Sequence, residues 1–186
     1  MAGLHVAGTG SFALELIEYA RASGHDVVGL VELVDSSRVD GQVHGLPVVG
    51  IDAGPGTVVL GLGGDRLTLW ARLAEHGWRA TTIVHPAAHV SPSARLGEGC
   101  FVGPAAVIGA AAVLGRQAIV ARGALVGHHT RLGAGVVLGD AAAVPERGRP
   151  VVALLGVDLD HGGDPTPAAS RPQASGLKTR PVRTFG

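Results

Sequence analysis

Two adjacent histidines, His128 and His129, are the residues best suited to chemistry in this chain. An imidazole has an unperturbed pKa of about 6.5, so it can remove a proton from an attacking hydroxyl or ammonium group near neutrality. The simpler alternative is a pair of solvent-exposed histidines in a turn. On the residues alone, a general base and an exposed turn pair are both open, although a purely structural element has little use for paired histidines.

A glycine-rich segment near the N-terminus forms a second candidate site. Gly8, Gly10 and Ala13 match the G-x-G-x-x-G/A spacing, and Glu32 lies near the distance at which an acidic residue contacts a ribose. The predicted substrate-binding residues are Gly8, Gly10, Ser11, Phe12 and Glu32. A nucleotide or a nucleotide-linked sugar fits better than NAD, because the segment has only about half the strands of a dinucleotide fold. Alternatively, the glycines only allow a tight strand-to-helix turn.

A zinc site is a weaker alternative, built on His85, His89 and His128. His85 precedes Pro86 in a connecting turn, and His89 lies 128 − 89 = 39 residues before His128. We therefore predict that no metal is bound. The single cysteine, Cys100, cannot form an internal disulfide and is expected to be a buried structural thiol.

The histidines lie within a six-residue repeat. An aliphatic residue recurs at every sixth position from Val84 to Val144, often followed by glycine, and a small residue such as Ala106 comes four places later. This period fits neither an amphipathic helix nor an alternating strand. It predicts short strands and tight bends that stack into a solenoid with a continuous aliphatic core. His128 and His129 then fall in a bend and face outward.

The first eighty residues read as a compact α/β unit. The segments LHVAG, DVVGLVEL, TVVLGLG and ATTIV are predicted strands, and helical stretches are predicted near residues 12–22 and 66–76. Such alternation implies a parallel sheet, in which ligands bind at the carboxyl ends of the strands. The loops at 8–11, after Glu32 and at 61–65 should converge there.

Composition narrows the class of protein. Fifteen basic residues balance fifteen acidic ones, which argues against a nucleic acid or an acidic membrane as partner. No run of eighteen apolar residues and no signal-peptide pattern occurs, so we expect no membrane association. The lone cysteine fits a reducing cytoplasm, and we expect a cytoplasmic protein.

The order of these segments is specific. An N-terminal G-x-G turn, the segment HGLPVVG at 44–50, IVHP at 83–86 and the hexads resemble the NeuD/PglD-like sugar O- and N-acyltransferases over about residues 1–138. The resemblance implies a left-handed parallel β-helix with three hexads per coil. It also implies acetyl transfer from acetyl-CoA to an amino or hydroxyl group of a sugar, either a nucleotide-linked amino sugar or sialic acid. A homotrimer with active sites between adjacent β-helices is implied as well.

The same resemblance assigns roles to residues. The family's motif, approximately V-x-H-[DE], is matched by Val126-Gly127-His128-His129, so His128 aligns with the catalytic base. His129 stands where the family commonly has a carboxylate. An eighteen-residue coil would stack position 128 + 18 = 146 on His128, so Glu146 is a candidate substitute for that carboxylate.

The expected fold is an α/β N-terminal Rossmann-like unit followed by a left-handed parallel β-helix of hexapeptide repeats. The expected domains are a nucleotide-sugar-binding domain at 1–82, an acyltransferase domain at 83–148 and a largely disordered tail at 149–186. Six prolines lie between Pro145 and Gly186, where relatives carry further coils that form much of the acyl-CoA groove. The alternatives to an acetyltransferase are a nucleotide-sugar-binding or assembly subunit without a complete groove, and a purely structural β-helix.

Overall fold

The structure is a computed structural model, and it describes residues 3–145. The predicted tail at 149–186 and the candidate residue Glu146 lie outside the described residues. Within residues 3–145, no helix is both long enough and apolar enough to cross a membrane.

The N-terminal unit is an open sheet of six strands with two helices. The strands are β1 (Leu4–Ala7), β2 (Val27–Glu32), β3 (Gln42–Val43), β4 (Leu46–Gly50), β5 (Thr57–Leu60) and β6 (Arg79–Ala80); the helices are α1 (Ser11–Ala22) and α2 (Arg66–Glu75). Short 3-10 helices span Ser36–Arg38 and Ile51–Ala53. The strand order is β3-β4-β2-β1-β5-β6, and every neighbouring pair is parallel except β3 with β4.

Side-chain alternation gives this sheet two buried faces. Val6 and Leu30 point to the face covered by α1, whereas Ala7 and Val31 point to the face that packs with Leu73 of α2. Strands buried on both faces read as continuous apolar runs, which is why these segments are aliphatic without alternation.

The second unit is a solenoid of eleven two-residue strands. They are β7 (Ile83–Val84), β8 (His89–Val90), β9 (Arg95–Leu96), β10 (Phe101–Val102), β11 (Val107–Ile108), β12 (Val113–Leu114), β13 (Ile119–Val120), β14 (Leu125–Val126), β15 (Arg131–Leu132), β16 (Val137–Leu138) and β17 (Ala143–Val144). Every third strand pairs in parallel, giving sheets β7-β10-β13-β16, β8-β11-β14-β17 and β9-β12-β15. Phe101 pairs with Ile119, so one coil takes eighteen residues. Three stacked parallel sheets of this kind fit a left-handed β-helix, as predicted.

The bends of the solenoid require left-handed backbone. The third residue after each aliphatic position has a positive φ in all but the first two bends, and several of these residues are not glycine, including Ala105 (φ 55°) and Gln117 (φ 59°). An L-residue in this region costs roughly 1–2 kcal/mol. The stacking of the coils holds these bends in that conformation, because their backbone amides bond to the coil below, as Ala105 N does to Ala87 O at 3.1 Å.

Helix α1 joins the two units. The outward side chains of one solenoid face, Ile83, Phe101 and Ile119, are buried in the same core as the sheet. Tyr19 stacks on Phe101 with ring centroids 5.7 Å apart, and its hydroxyl donates to Glu15 at 2.6 Å. Burial, aided by the hydrogen bond to Glu15, raises the pKa of Tyr19 to about 12. The hydroxyl therefore stays protonated and keeps donating at neutral pH.

The structure corrects two strand assignments. ATTIV is not one strand: Ala80 ends the open sheet in β6, while Ile83 begins the solenoid in β7. The two strands are joined by the β-branched residues Thr81 and Thr82, so the segment reads as one continuous strand in the sequence. Strand β3, just before HGLPVVG, and strand β4, within it, were not predicted, because Pro47 and the nearby glycines read as loop signals.

Substitution of Ala105 by glycine should stabilise the protein. Glycine adopts positive φ without strain, and the relief of roughly 1–2 kcal/mol exceeds the roughly 0.4–1 kcal/mol that glycine's freedom adds to the unfolded state. Ala87 occupies the same column one coil earlier without a positive φ, so Ala87→Gly is the matched control and should destabilise. Urea unfolding measures both; changes of the same sign would contradict the account.

Candidate active site

The two histidine rings form a hydrogen-bonded pair. Nδ1 of His128 lies 2.9 Å from Nδ1 of His129, and the rings meet edge to face with centroids 5.1 Å apart. Both side chains are exposed. One ring must donate and the other accept, so in the state where His128 donates, its Nε2 carries the lone pair. The structure thus brings together the two histidines that the sequence singled out.

The bend that carries the pair is built by its neighbours in the stack. His129 has a φ of 58°, and its amide donates to Ala110 O of the coil below at 2.8 Å. Gly109 lies under this bend, where an added Cβ would sit only 2.6 Å from His128 N. Glycine at 109 therefore lets the backbone of His128 approach closely, which a larger residue would prevent.

Side chains one coil apart reach each other on an adjacent column of bends. Arg122 and Asp140 differ by eighteen positions, and Arg122 Nε donates to Asp140 Oδ2 at 2.8 Å. Arg122 also contacts Glu15 of α1 at 2.8 Å. Side chains eighteen positions apart at the same place in the bend can therefore come into contact in this solenoid.

The glycine-rich loop lies at the carboxyl end of β1. Gly8 has a φ of 120°, and an added Cβ would meet Leu62 Cγ at 2.8 Å and Gly61 O at 2.9 Å. Gly10 precedes α1, Ser11 is its exposed first residue, and the first turn contains no acidic side chain. Phe12, only 9% exposed, packs edge to face on Phe101 with centroids 6.1 Å apart, in the core.

Glu32 organises the loop that follows β2. Its Oε1 accepts the backbone amides of Leu33, Val34 and Asp35 at 2.9, 2.8 and 3.1 Å, and its Oε2 accepts the Thr9 hydroxyl at 2.7 Å. Burial alone would raise the pKa of Glu32, but the hydrogen bonds from Thr9 and the three amides outweigh it and hold the pKa below its ordinary value. The carboxylate is therefore ionised and ties two of the three predicted loops together.

Sequence reasoning missed two polar residues at this edge. Arg38 Nη1 donates to Thr9 Oγ1 at 2.8 Å, and Nε2 of His44 lies 3.2 Å from Gly10 O. Both side chains are exposed beside the start of α1. His44 was already part of HGLPVVG, whereas Arg38, at the end of a short 3-10 helix, belonged to no motif in the sequence.

The residues considered for a reactive thiol or a zinc site are accounted for by other contacts. Cys100 is fully buried, and its Sγ donates to Gly115 O at 3.2 Å, which confirms a buried thiol. Nδ1 of His85 accepts from Ala87 N, and its ring meets Tyr19. Within residues 3–145, no group of three or more histidine, cysteine, aspartate or glutamate side chains is arranged to hold a metal ion.

Solved structures resemble this chain along most of its length. The acetyltransferase domain of PglB from Neisseria gonorrhoeae FA1090 is 25% identical, with 77% of this chain and 91% of that one covered and a TM-score of 0.55. The predicted resemblance to sugar acyltransferases is confirmed. That domain has also been solved in complex with acetyl coenzyme A, at 24% identity and a TM-score of 0.54.

Two further structures share features with the chain. WeeI from Acinetobacter baumannii AYE is 16% identical over 78% of this chain and 73% of its own, with a TM-score of 0.68, and supports the fold. Perosamine N-acetyltransferase from Caulobacter crescentus, solved with CoA and GDP-perosamine, is 27% identical over 78% and 92%, with a TM-score of 0.47. No family model matches the chain, and no curated protein matches it.

Replacement of Glu32 by glutamine should remove a pH-dependent share of stability. The folded-state pKa of Glu32 is lowered, so its contribution is complete above the unfolded-state pKa of about 4.3 and is lost as the pH falls through the folded value. Wild type should exceed Glu32→Gln by roughly 1–3 kcal/mol at neutral pH, and the difference should shrink below about pH 4. Urea unfolding across pH measures this difference.

Glu18→Gln, on the exposed side of α1, is the matched control and should change the unfolding free energy little. A Glu32→Gln difference that stays constant with pH would contradict an ionised, hydrogen-bonded carboxylate.

Proposed function

We propose that the protein is an acetyltransferase that moves an acetyl group from acetyl-CoA to an amino or hydroxyl group of a sugar. The observation that carries this proposal is a histidine pair, His128 and His129, held at a bend of a β-helix that resembles the PglB acetyltransferase domain. Acetyl-CoA is supported as donor because that domain has been solved in complex with it.

The N-terminal unit is proposed as a Rossmann-like domain that binds a nucleotide-linked sugar. Support comes from Gly8, Gly10 and Ser11 at the start of α1, where backbone amides and the helix dipole favour a phosphate. Arg38 and His44 add positive or donor groups beside the same helix start. Glu32 remains the candidate ribose partner through Oε2, which accepts one hydrogen bond from Thr9 and retains acceptor capacity.

His128 is proposed as the general base. With Nδ1 of His128 donating to His129, Nε2 accepts the proton of the acceptor amine or hydroxyl as that atom attacks the thioester carbonyl. A new N–C or O–C bond forms, the C–S bond breaks, and the proton passes from His128 to the departing CoA sulfur. A backbone amide of a glycine-containing bend is proposed to stabilise the oxyanion.

His129 is proposed to orient His128 in place of a carboxylate, through the 2.9 Å contact between the two Nδ1 atoms. Glu146 remains a proposed second partner. Support comes from the eighteen-residue coil and from the Arg122–Asp140 pair, which shows that side chains at this spacing can touch.

Replacing His128 with alanine should lower acetyl transfer at least ~10²-fold, the usual loss when a general base is removed. His76→Ala is the matched control, because His76 is also an exposed histidine but lies at the end of α2 in the N-terminal unit. Transfer is followed by the thiol of released CoA with a panel of amino-sugar and nucleotide-sugar acceptors. Full activity in His128→Ala would exclude this residue as the base, and no transfer by wild type to any acceptor would favour a binding subunit.

A homotrimer built through one solenoid face is also proposed. The three faces differ in their outward side chains: Ile83, Phe101 and Ile119 are covered by the N-terminal unit, and Arg95 and Arg131 make another face charged. The third face exposes Val107 and Leu125, at 38% and 47%, in one column. Burial of these residues by neighbouring copies would remove apolar surface from water.

A cytoplasmic location is proposed as well. Cys100, a buried free thiol, supports it, because unpaired cysteines are typical of a reducing compartment.

Introduction of lysine at Leu125 should dissociate the trimer, because an ammonium group in an apolar interface loses its hydration without gaining a partner. Leu14→Lys places the same charge at an exposed leucine of α1, and this control should remain trimeric. Sedimentation velocity reads the oligomeric state of both variants. A trimer that persists in Leu125→Lys would mean that another face forms the interface.

A further inference from the structure

A buried arginine links the two units of the protein. Arg66, the first residue of α2, is 1% exposed. Its Nε donates to Gln117 O of a solenoid bend at 2.8 Å. Its Nη1 donates to Leu60 O at 3.2 Å and to Leu62 O at 2.5 Å, at the end of β5 and in the loop that follows.

The guanidinium group of Arg66 has no acidic partner among the described residues, and its hydrogen bonds go to backbone carbonyls. Burial lowers the pKa of Arg66 to about 10, so the group is still charged at neutral pH. Burying a charge costs several kcal/mol even after relaxation, and a leucine or methionine would avoid that cost. The guanidinium instead supplies a rigid fork whose donors point in two directions at once.

One direction of the fork leads to the glycine-rich loop. Leu60 and Leu62, whose carbonyls accept from Arg66, flank Gly61. Gly61 N donates to Ala7 O at 2.8 Å, and Leu62 packs against the Cα of Gly8 so closely that a Cβ there would lie 2.8 Å from Leu62 Cγ. The position of Leu62 therefore fixes the position of the loop before α1.

The other direction leads to a column of bends at the edge of the solenoid. Gln117 stacks between Gly99 and Gly135, eighteen residues before and after it. A Cβ at Gly99 would clash with the Gln117 amide, and one at Gly135 would lie 3.1 Å from Leu67 Cγ of α2. The two glycines therefore leave room for Gln117 and for the start of α2, which seats Arg66 against the solenoid.

We propose that Arg66 is a positioning residue that holds the loop at 61–65 against Gly8, and so fixes the nucleotide-sugar site relative to the solenoid. The identity of the ligand rests on the proposed function. The mechanical link from Gln117 O through Arg66 to Gly8 rests on the contacts alone.

Hydrogen exchange read by mass spectrometry tests the link without any ligand. In Arg66→Met, peptides that contain Gly8 and Gly61 should exchange roughly tenfold faster or more, because a hydrogen bond from a charged group contributes about 1.5–3 kcal/mol. The peptide with His128 should be unchanged. Arg21→Met is the matched control, since Arg21 is an exposed arginine in the last turn of α1, at the opposite end of that helix from the glycine-rich loop.

Arg66→Lys is the second variant and guards against misfolding of the methionine variant. It keeps the charge but has a single nitrogen, which cannot donate to Gln117 O and to the carbonyls of Leu60 and Leu62 together. The peptides that contain Gly8 and Gly61 should therefore again exchange faster. Exchange that rises uniformly along the chain, or does not rise at Gly8 and Gly61, would overturn the proposal.

Steady-state kinetics give a second reading. In Arg66→Lys, the KM for a nucleotide-sugar acceptor should rise about tenfold, while kcat and the KM for acetyl-CoA stay within about twofold. Calorimetric titration with UDP and GDP should show about a tenfold weaker affinity in Arg66→Lys than in wild type, for whichever of the two nucleotides binds wild type. An equal rise in both KM values would overturn the proposal. If wild type transfers no acetyl group, the proposed function fails, and the exchange pattern still decides the role of Arg66.

Discussion

Every hydrogen bond between neighbouring coils of the solenoid depends on the eighteen-residue register. One strand has two residues, and a single coil buries too little to be stable alone. Stacking places Val102 beside Val120 in one sheet and Ile108 beside Val126 in the next, so the aliphatic core is continuous. The same register fixes the backbone of each bend, including the left-handed conformation of His129. The histidine pair is therefore held by the stack and not by the bend alone.

The asymmetry of the three faces follows from what covers each one. The face that contains Phe101 is apolar because α1 packs on it, with Phe12 and Tyr19 against the ring. Leu125 and Val107 keep another face apolar with nothing from residues 3–145 to bury them fully. This exposed apolar face is the one proposed for self-association, and the His128 bend directly follows β14 on it.

Periodicity predicted the solenoid strands because each aliphatic residue meets its equivalents in the same column. It also placed His128 and His129 in a bend correctly, since bend positions are fixed by the repeat. Contacts between distant segments could not be predicted this way. The Nδ1–Nδ1 contact depends on side-chain rotamers, and the burial of Arg66 depends on how α2 meets the solenoid. Glu32 was recognised as special, but its bonds to the loop at 33–35 follow from local backbone geometry that a spacing rule does not contain.

The central claim is that a histidine pair on this β-helix serves acetyl transfer from acetyl-CoA. Isothermal titration of the purified protein with acetyl-CoA, with its oligomeric state read by sedimentation, tests this claim most directly. The account predicts a trimer that binds one acetyl-CoA per chain with a dissociation constant in the range of about 1 μM to 1 mM, as for enzyme substrates generally. A well-folded protein that takes up no acetyl-CoA at millimolar concentration would contradict it.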